Sequence, residues 1–172
     1  MKMEISYPKN TCACFTGHRI MTEGQTQESA KKLFETIEKL YKQGVVNFYA
    51  GGALGFDLTA SVTLLNMKRT FPDLTLNLAL PCKNYNKKWS NAQIQLFERV
   101  KDRSDSIFYV NDEYSLSCMQ QRNKYMVDRS SFCIAYLTQE KGGTFNTVKY
   151  AKRMGVPVIN LAEESCQLKF DF

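Results

Sequence analysis

Short apolar segments of β character alternate along this chain with longer segments whose apolar residues repeat at helical spacing. Strands are predicted at 12–16, 45–49, 74–80, 105–110, 132–137 and 156–161, and helices at 25–43, 56–69, 91–103, 119–130 and 142–154. Strands joined through helices pair in parallel, because each helix carries the chain back to the same end of the sheet. The pattern therefore predicts an α/β fold: a single Rossmann-like domain of three layers, with a mostly parallel sheet and helices on both faces.

Length and composition bound the class of protein. A chain of 172 residues suits one domain, which we expect to span 1–172 with its core at about 12–161. Hydrophobic residues make up 44% and charged residues 23%, as is typical of a folded globular protein. No apolar run approaches the ~20 residues that cross a bilayer, and residues 1–10 lack the apolar segment of a signal peptide. We therefore expect a cytoplasmic protein without membrane contact.

The cysteines and the single histidine argue against a metal site. The six cysteines include one close pair, Cys12 and Cys14, in a predicted strand, and no C-x-x-C pair. One histidine cannot complete a zinc finger. We expect no metal, and we expect most of the cysteines to be small buried residues in a reduced protein.

Four polar loops follow predicted strands, and in an open parallel sheet such loops meet at the carboxyl edge, where ligands bind. These loops are 16–19, 51–57, 81–89 and 142–147. The topology therefore predicts one shared ligand site. The net charge of +6 suits an anionic ligand, although most of the basic residues are scattered in a way that is typical of a solvated surface.

Two of these loops are rich in glycine and lead into helices. Glycine lets a ligand approach the backbone closely, and the first turn of a helix presents unpaired amides and a positive dipole end to a phosphate. The candidate phosphate-binding residues are Gly51, Gly52, Gly55, Gly142, Gly143, Thr144, Asn146 and Thr147. The alternatives are an ordinary tight turn for the first of these loops and a capped helix start for the second. Neither matches the G-x-G-x-x-G fingerprint or a Walker loop.

Side chains in the loops add candidate ligand contacts. Gly17 and Arg19 flank His18 at the end of the first predicted strand. The imidazole can donate to a phosphate or act as an acid or base, and the guanidinium offers a planar fork for phosphate. Asp57 is either a cap of the following helix or a carboxylate that holds a ribose hydroxyl. The alternatives for His18 and Arg19 are a surface histidine that caps a turn and an exposed arginine.

Further positions complete the candidate set. Pro81 opens the third loop, and Trp89 either stacks on a base or belongs to the core. Arg122 and Asn123 form a polar cluster near the start of a helix, with a solvent-facing helix surface as the alternative. Asp128 lies later in the same helix and is a candidate acid or base.

Five short motifs in these loops and helices carry a resemblance to a known superfamily. They are Phe15-Thr16-Gly17-His18-Arg19, Gly51-Gly52-Ala53-Leu54-Gly55-Phe56-Asp57, Leu80-Pro81 with Trp89, Arg122-Asn123 with Met126-Val127-Asp128, and Gly142-Gly143-Thr144. Together they resemble the YpsA-like branch of the SLOG superfamily, which groups the DNA-processing protein A family with the Lonely Guy phosphoribohydrolases. The resemblance implies a Rossmann-like domain, a nucleotide or nucleotide-derived ligand at the glycine loops, and often an oligomer.

One part of the resemblance is incomplete. The phosphoribohydrolase relatives carry the motif P-G-G-x-G-T-x-x-E, whose glutamate serves cleavage of the N-glycosidic bond. Here residues 141–149 read K-G-G-T-F-N-T-V-K, so that Lys141, Phe145 and Lys149 replace the proline, the third glycine and the glutamate. The binding half of the motif is retained and the catalytic half is missing.

Three functions fit these observations. The one that we favour is binding or sensing of a nucleotide or ADP-ribose-like ligand without catalysis. The second is a nucleotide-processing enzyme of phosphoribohydrolase or N-glycosidase type, with His18, Asp57 and Asp128 as acid–base candidates. The third is binding of single-stranded nucleic acid, suggested by the DNA-processing relatives and the net charge, although no basic stripe with interleaved aromatics is present.

Overall fold

The computed structural model describes residues 3–163, in which six parallel strands form one sheet. The strands are β1 (Cys12–Gly17), β2 (Asn47–Ala50), β3 (Thr75–Leu80), β4 (Ser106–Tyr109), β5 (Phe132–Tyr136) and β6 (Val158–Asn160). The helices are α1 (Glu23–Lys42), α2 (Phe56–Met67), α3 (Asn91–Arg103), α4 (Cys118–Asp128) and α5 (Gly142–Arg153), preceded by a 3₁₀ turn at Lys9–Thr11. The predicted α/β Rossmann-like fold is confirmed, with a sheet that is wholly parallel in this part of the chain.

The order of the strands places a topological switch point at the centre of the sheet. The order is β4-β3-β2-β1-β5-β6, so the chain builds outward from β1 on one side and then returns to add β5 on the other. Cys14 lies opposite Cys133 in the β1–β5 pairing, and Gly17 lies opposite Tyr136. The carboxyl ends of β1 and β5 therefore meet at the crevice where open α/β sheets bind ligands.

Apolar residues fill a core on each face of the sheet, because side chains alternate along each strand. In β1, Ala13 and Phe15 pack in the core that contains buried residues of α1, α2 and α3. Cys12 and Cys14 pack in the other core, with buried residues of α4 and α5. The five cysteines among the described residues are buried and free, as expected for them; Cys166 lies outside the described residues.

Capping boxes set the first residues of α1 and α3. Helix α1 begins two residues earlier than predicted because Thr22 accepts from the Gln25 amide (3.1 Å) and Gln25 accepts from the Thr22 amide (2.9 Å). The same capping box, formed by Ser90 and Gln93, begins α3 at the predicted residue. Such boxes satisfy amides that the helix itself leaves unpaired. None of the described helices is long and apolar enough to span a membrane.

Two glycines give a paired test of this packing. A Cβ at Gly17 overlaps the buried Phe56 side chain at the start of α2, whereas a Cβ at Gly143 meets nothing within 4 Å. We expect Gly17→Ala to lower the free energy of unfolding by about 1–3 kcal/mol, since the tightly packed core must shift. Gly143→Ala is the control and should change it by less than about 1 kcal/mol. Urea unfolding measures both, and equal effects would contradict the packing of Gly17 on Phe56.

Candidate functional site

A cleft of about 630 Å³ opens at the carboxyl edge of the sheet, beside the switch point. Its lining comes from residues within four segments: 15–19 at the end of β1, 51–57 before α2, 116–126 at the start of α4, and 139–146 at the start of α5. Ligand pockets for small molecules are commonly about 300–1,000 Å³. The cleft is therefore large enough for a nucleotide.

The base of the cleft is built around Gly51, which two buried side chains hold at its opposite ends. The Asp57 carboxylate accepts from the amides of Gly51 (3.0 Å) and Ala53 (2.9 Å). The Arg122 guanidinium donates to the carbonyl of Gly51. A Cβ at Gly51 overlaps that guanidinium, so glycine here lets Arg122 approach the backbone. Asp57 and Arg122 are each 4% exposed, and the structure shows no direct ion pair between them.

Charge compensation keeps this arrangement tenable. Burial raises the pKa of the Asp57 carboxyl, and the Arg122 charge and the loop amides act in the opposite direction. Burial lowers the pKa of Arg122, and the Asp57 charge opposes that shift. Each charge thus supports ionisation of the other.

Two neighbours on α4 position the Arg122 guanidinium. Nε of Arg122 donates to Oδ1 of Asn123 (2.7 Å), and Nη2 of Arg122 lies 3.9 Å from Sδ of Met119. The predicted cluster of Arg122 and Asn123 therefore lines the cleft, and Arg122 does not lie on a solvent-facing surface.

The start of α5 lies open to the cleft. Gly142 and Gly143 are exposed, and a Cβ at either would meet nothing within 4 Å. No side chain caps the helix at Lys141, and its first turn holds no acidic residue. The first amides of a helix have no intrahelical partner. Together with the dipole, they form a site for an anion.

The two glycine loops therefore differ in kind. The amides of Gly51 and Ala53 in the first loop are already bonded to Asp57. In the second loop, Gly142, Gly143 and Thr144 line the cleft without a capping side chain. Ligand binding by both loops stays a prediction, but this geometry favours the second for direct contact with phosphate.

His18 joins the loops that follow β1 and β5. Its Nε2 accepts from the amide of Thr138 (2.9 Å), which assigns the ring proton to Nδ1. Burial lowers the pKa of His18, and the donated hydrogen bond also favours the neutral ring. The cleft therefore has a neutral imidazole in its wall, with Nδ1–H as a donor that no other described residue occupies.

Arg19 and Trp89 lie at one end of the cleft. Arg19 is exposed and lines both the cleft and an adjoining cavity of about 60 Å³. Trp89 lines only the smaller cavity of the two and packs edge-on against Tyr85 and Phe97, with ring centroids 5.6 and 5.7 Å away. The indole is thus partly buried in an aromatic cluster.

Three predicted loop residues are absent from the lining of the cleft and support its walls. The carbonyl of Gly52 accepts from the Tyr85 hydroxyl (2.5 Å). Gly55 has a φ of 75° and lies against the carbonyls of the loop after β1, where a side chain would not fit. Pro81 is buried, and its carbonyl accepts from Nδ2 of Asn111 (3.2 Å).

Two further predicted residues lie beyond the cleft on α4 and α5. Thr147 donates to the carbonyl of Gly143 (2.8 Å). Asp128 is exposed and accepts from the Tyr150 hydroxyl (2.6 Å). The structure brings His18 and Asp57 together in the cleft but does not bring Asp128 to them.

Some residues of the lining were missed from sequence. The motif comparison treats Lys141 only as the replacement of a proline, although its place directly before a glycine-rich helix start is a signal for a phosphate contact. Leu116 and Met119 add apolar surface, and Leu116 is 99% exposed. They lie where the loop after β4 meets α4, which no periodicity reveals.

Comparisons with known proteins support one family. A model described as the YspA SLOG family matches residues 16–156, which include every lining residue of the cleft except Phe15. The chain belongs to the YspA SLOG family. The resemblance to the YpsA-like branch is thus confirmed.

Two bacterial proteins illustrate the similarity in sequence. The chain is similar to the uncharacterised SPbeta prophage-derived protein YoqJ of Bacillus subtilis, with 33% identity over 71% of this chain and 79% of that protein. It is also similar to a UPF0398 protein of Staphylococcus haemolyticus, with 23% identity over 68% of this chain and 62% of the relative.

Solved structures with a similar fold belong to DNA processing protein A. The match to the protein of Helicobacter pylori has a TM-score of 0.61 at 17% identity and covers 87% of this chain and 64% of that one. The match to the protein of Streptococcus pneumoniae has a TM-score of 0.62 at 14% identity and covers 85% and 48%. This chain thus spans less than two thirds of either structure, and the likeness is one of fold.

Residues 3–163 contain no group of three or more His, Cys, Asp or Glu side chains that could hold a metal ion.

Removing the charge of Arg122 tests the hydrogen-bonded arrangement of Asp57, Gly51 and Arg122. We expect Arg122→Met to lower the free energy of unfolding by about 3 kcal/mol, because it leaves Asp57 buried without a compensating charge. Adding Asp57→Asn to that variant should cost less than the sum of the two single changes. Lys124→Met, at an exposed position of the same helix, is the control and should cost less than about 0.5 kcal/mol. Additive losses in urea unfolding would contradict the coupling.

The single histidine gives a test by pH. An unperturbed histidine has a pKa of about 6.5, and burial lowers that of His18. The unfolded chain therefore binds its proton first, so stability is complete above about pH 6.5 and falls as the pH drops through the folded pKa. We expect His18→Gln, which keeps an acceptor near the position of Nε2, to reduce this fall between pH 7 and 5.

Proton NMR titration of the one imidazole checks the assignment directly. A pKa at or above the unperturbed value, or identical pH dependence of stability in the protein and the His18→Gln variant, would contradict a neutral, buried ring.

Proposed function

We propose that this protein binds a nucleotide or nucleotide-derived ligand in the cleft, with a phosphate at the start of α5. The observation that carries the proposal is the uncapped helix start at Gly142 and Gly143, open to a cleft of about 630 Å³. An anion there would accept hydrogen bonds from backbone amides and meet the positive end of the helix dipole.

The charges around the cleft support an anionic ligand. Arg19, Arg122 and Lys141 are the cationic side chains among its lining residues, and Asp57 is the acidic one. The Asp57 carboxylate is committed to the amides of Gly51 and Ala53. The remaining field is positive, which attracts phosphate.

The rest of the lining suits a nucleoside. Leu116 and Met119 offer apolar surface on which a base can pack, and the polar groups of Gln120, Asn123 and Asn146 lie in the same cleft. Apolar surface beside polar groups that fix orientation is a combination found in small-ligand sites.

Binding without catalysis is favoured by what stands in place of the phosphoribohydrolase glutamate. Lys149 occupies that motif position; its Nζ lies 5.4 Å from the centroid of the Phe145 ring, and it is absent from the lining of the cleft. His18 and Asp57 remain as acid–base groups, but Asp57 is bonded to the loop and Asp128 is elsewhere. An N-glycosidase of nucleotides is the enzymatic alternative.

Single-stranded nucleic acid is the second candidate ligand. A single-stranded DNA binding mode is described for the Helicobacter pylori protein whose fold this chain shares. The net charge of +6 is compatible with such binding. A cytoplasmic location and a homo-oligomeric state stay predictions from sequence.

Thermal stability in the presence of ligands tests the main proposal. We expect one of a panel of nucleoside monophosphates, ADP-ribose and NAD to raise the free energy of unfolding by about 2.7 kcal/mol at 100 times its dissociation constant. That corresponds to a rise in Tm of about 5–10 °C for a domain of this size. Lys141→Gln should weaken the response, and Lys39→Gln, at an exposed position of α1, should not.

Thermal stability, product analysis and salt dependence together distinguish nucleotide binding, glycosidase activity and nucleic-acid binding. No shift with any ligand would contradict the proposal, and release of free base detected by chromatography would establish the glycosidase. A shift produced only by oligodeoxythymidine, and lost steeply as salt is added, would favour nucleic-acid binding instead.

A further inference from the structure

A second cavity, of about 410 Å³, lies between α4 and α5 and continues from the cleft. The two share the lining residues Gln120, Asn123 and Asn146. We call this second cavity the α4–α5 groove. A ligand in the cleft therefore has a path along α5, past the first turn of that helix.

The α4–α5 groove is lined by cations and no carboxylate. Its charged lining residues are Lys124, Lys149 and Arg153, which are exposed and form no ion pair with other described residues. Lys124 Nζ lies 5.5 Å from the Tyr150 ring centroid, and Arg153 Cζ lies 5.3 Å from it. The Tyr150 ring therefore brings the Lys124 and Arg153 cations close to each other, where both can contact an anion.

One carboxylate lies close to the groove without lining it. Asp128 accepts from the Tyr150 hydroxyl (2.6 Å), which fixes the ring. It offsets part of the charge of the three cations. The groove therefore keeps an excess of positive charge.

Spacing along α5 selects the kind of anion. From Gly143 to Tyr150 the helix rises about 10 Å, at about 1.5 Å per residue. The adjacent phosphates of a pyrophosphate are too close together to reach both ends of that distance. A ligand that reaches both sites needs its two phosphates farther apart than those of a pyrophosphate, and the sugar between the phosphates of a nucleotide strand provides such a separation.

We propose that the ligand is a phosphodiester-linked dinucleotide, with one phosphate at the start of α5 and the other among Lys124, Lys149 and Arg153. This inference rests on the proposed nucleotide binding in the cleft and goes beyond it by naming the class of ligand. Lys149, which stands at the motif position of the phosphoribohydrolase glutamate, contacts the second phosphate.

Calorimetric titration of the full chain tests it with the four 5′-mononucleotides, the four 5′-phosphorylated homodinucleotides pNpN and a deoxythymidine dodecamer. We expect one dinucleotide to bind at least about tenfold more tightly than its mononucleotide, as two added contacts to phosphate allow. The variant Lys149→Gln/Arg153→Gln should lose that advantage and keep the affinity for the mononucleotide.

A matched control variant also loses two positive charges, but from a helix on the other face of the sheet. Lys31→Gln/Lys39→Gln changes two exposed lysines of α1 and should leave both affinities unchanged. Thermal unfolding of each variant verifies that it folds, as expected for exposed side chains.

The outcomes separate the two proposals. Binding of neither mononucleotide nor dinucleotide would overturn the dinucleotide, and it would overturn the proposed function as well if ADP-ribose and NAD also fail to bind. Equal affinity for the two, or an advantage that survives loss of Lys149 and Arg153, would overturn the dinucleotide alone and leave the cleft as a mononucleotide site. A dodecamer that binds far more tightly than any dinucleotide would overturn it in favour of a nucleic-acid track.

Discussion

The geometry of the cleft depends on Gly51, whose amide and carbonyl groups are both hydrogen-bonded to buried charged side chains. The Gly51 amide donates to Asp57 and the Gly51 carbonyl accepts from Arg122, and only glycine leaves room for the guanidinium. Arg122 reaches across from α4, on the other face of the sheet from α2. A buried polar network that is fully satisfied fixes a unique geometry, and here it joins both helical layers at the base of the site.

This dependence explains why the two glycine loops have different roles. The loop before α2 uses its amides within the protein, so its order does not require a ligand. The loop before α5 lacks a side-chain cap and a first-turn acid. The hydrogen-bonded Gly51 loop thus faces a helix start that has no cap. Such an arrangement is preorganised, because an anion at the helix start would require little further ordering of the protein.

The sequence carried enough information to predict the fold and to place four loops at the sheet edge where the cleft lies. The apolar periodicities located the strands and helices, and parallel pairing then required loops such as 16–19 and 142–147 to share an edge. The roles of single residues depended on contacts that no local pattern encodes. Arg122 meets Gly51 from 71 positions away, and Asp57 turns back onto the loop before it. Trp89 packs on residues of the same region, yet nothing in its spacing distinguishes a base-stacking ring from a packed one.

The place of β1 in the sheet has a consequence for how the cleft comes into being. β1 is made first, but its neighbour β5 begins at residue 132, and the open helix start follows at residue 142. During synthesis the first strands can pair outward from β1 while its other edge waits for most of the chain to emerge. Pairing of β1 with β5 closes a long loop and is slow for that reason. The cleft is therefore assembled last, and a nascent chain that stops short of α5 has the Gly51 loop without the wall that faces it.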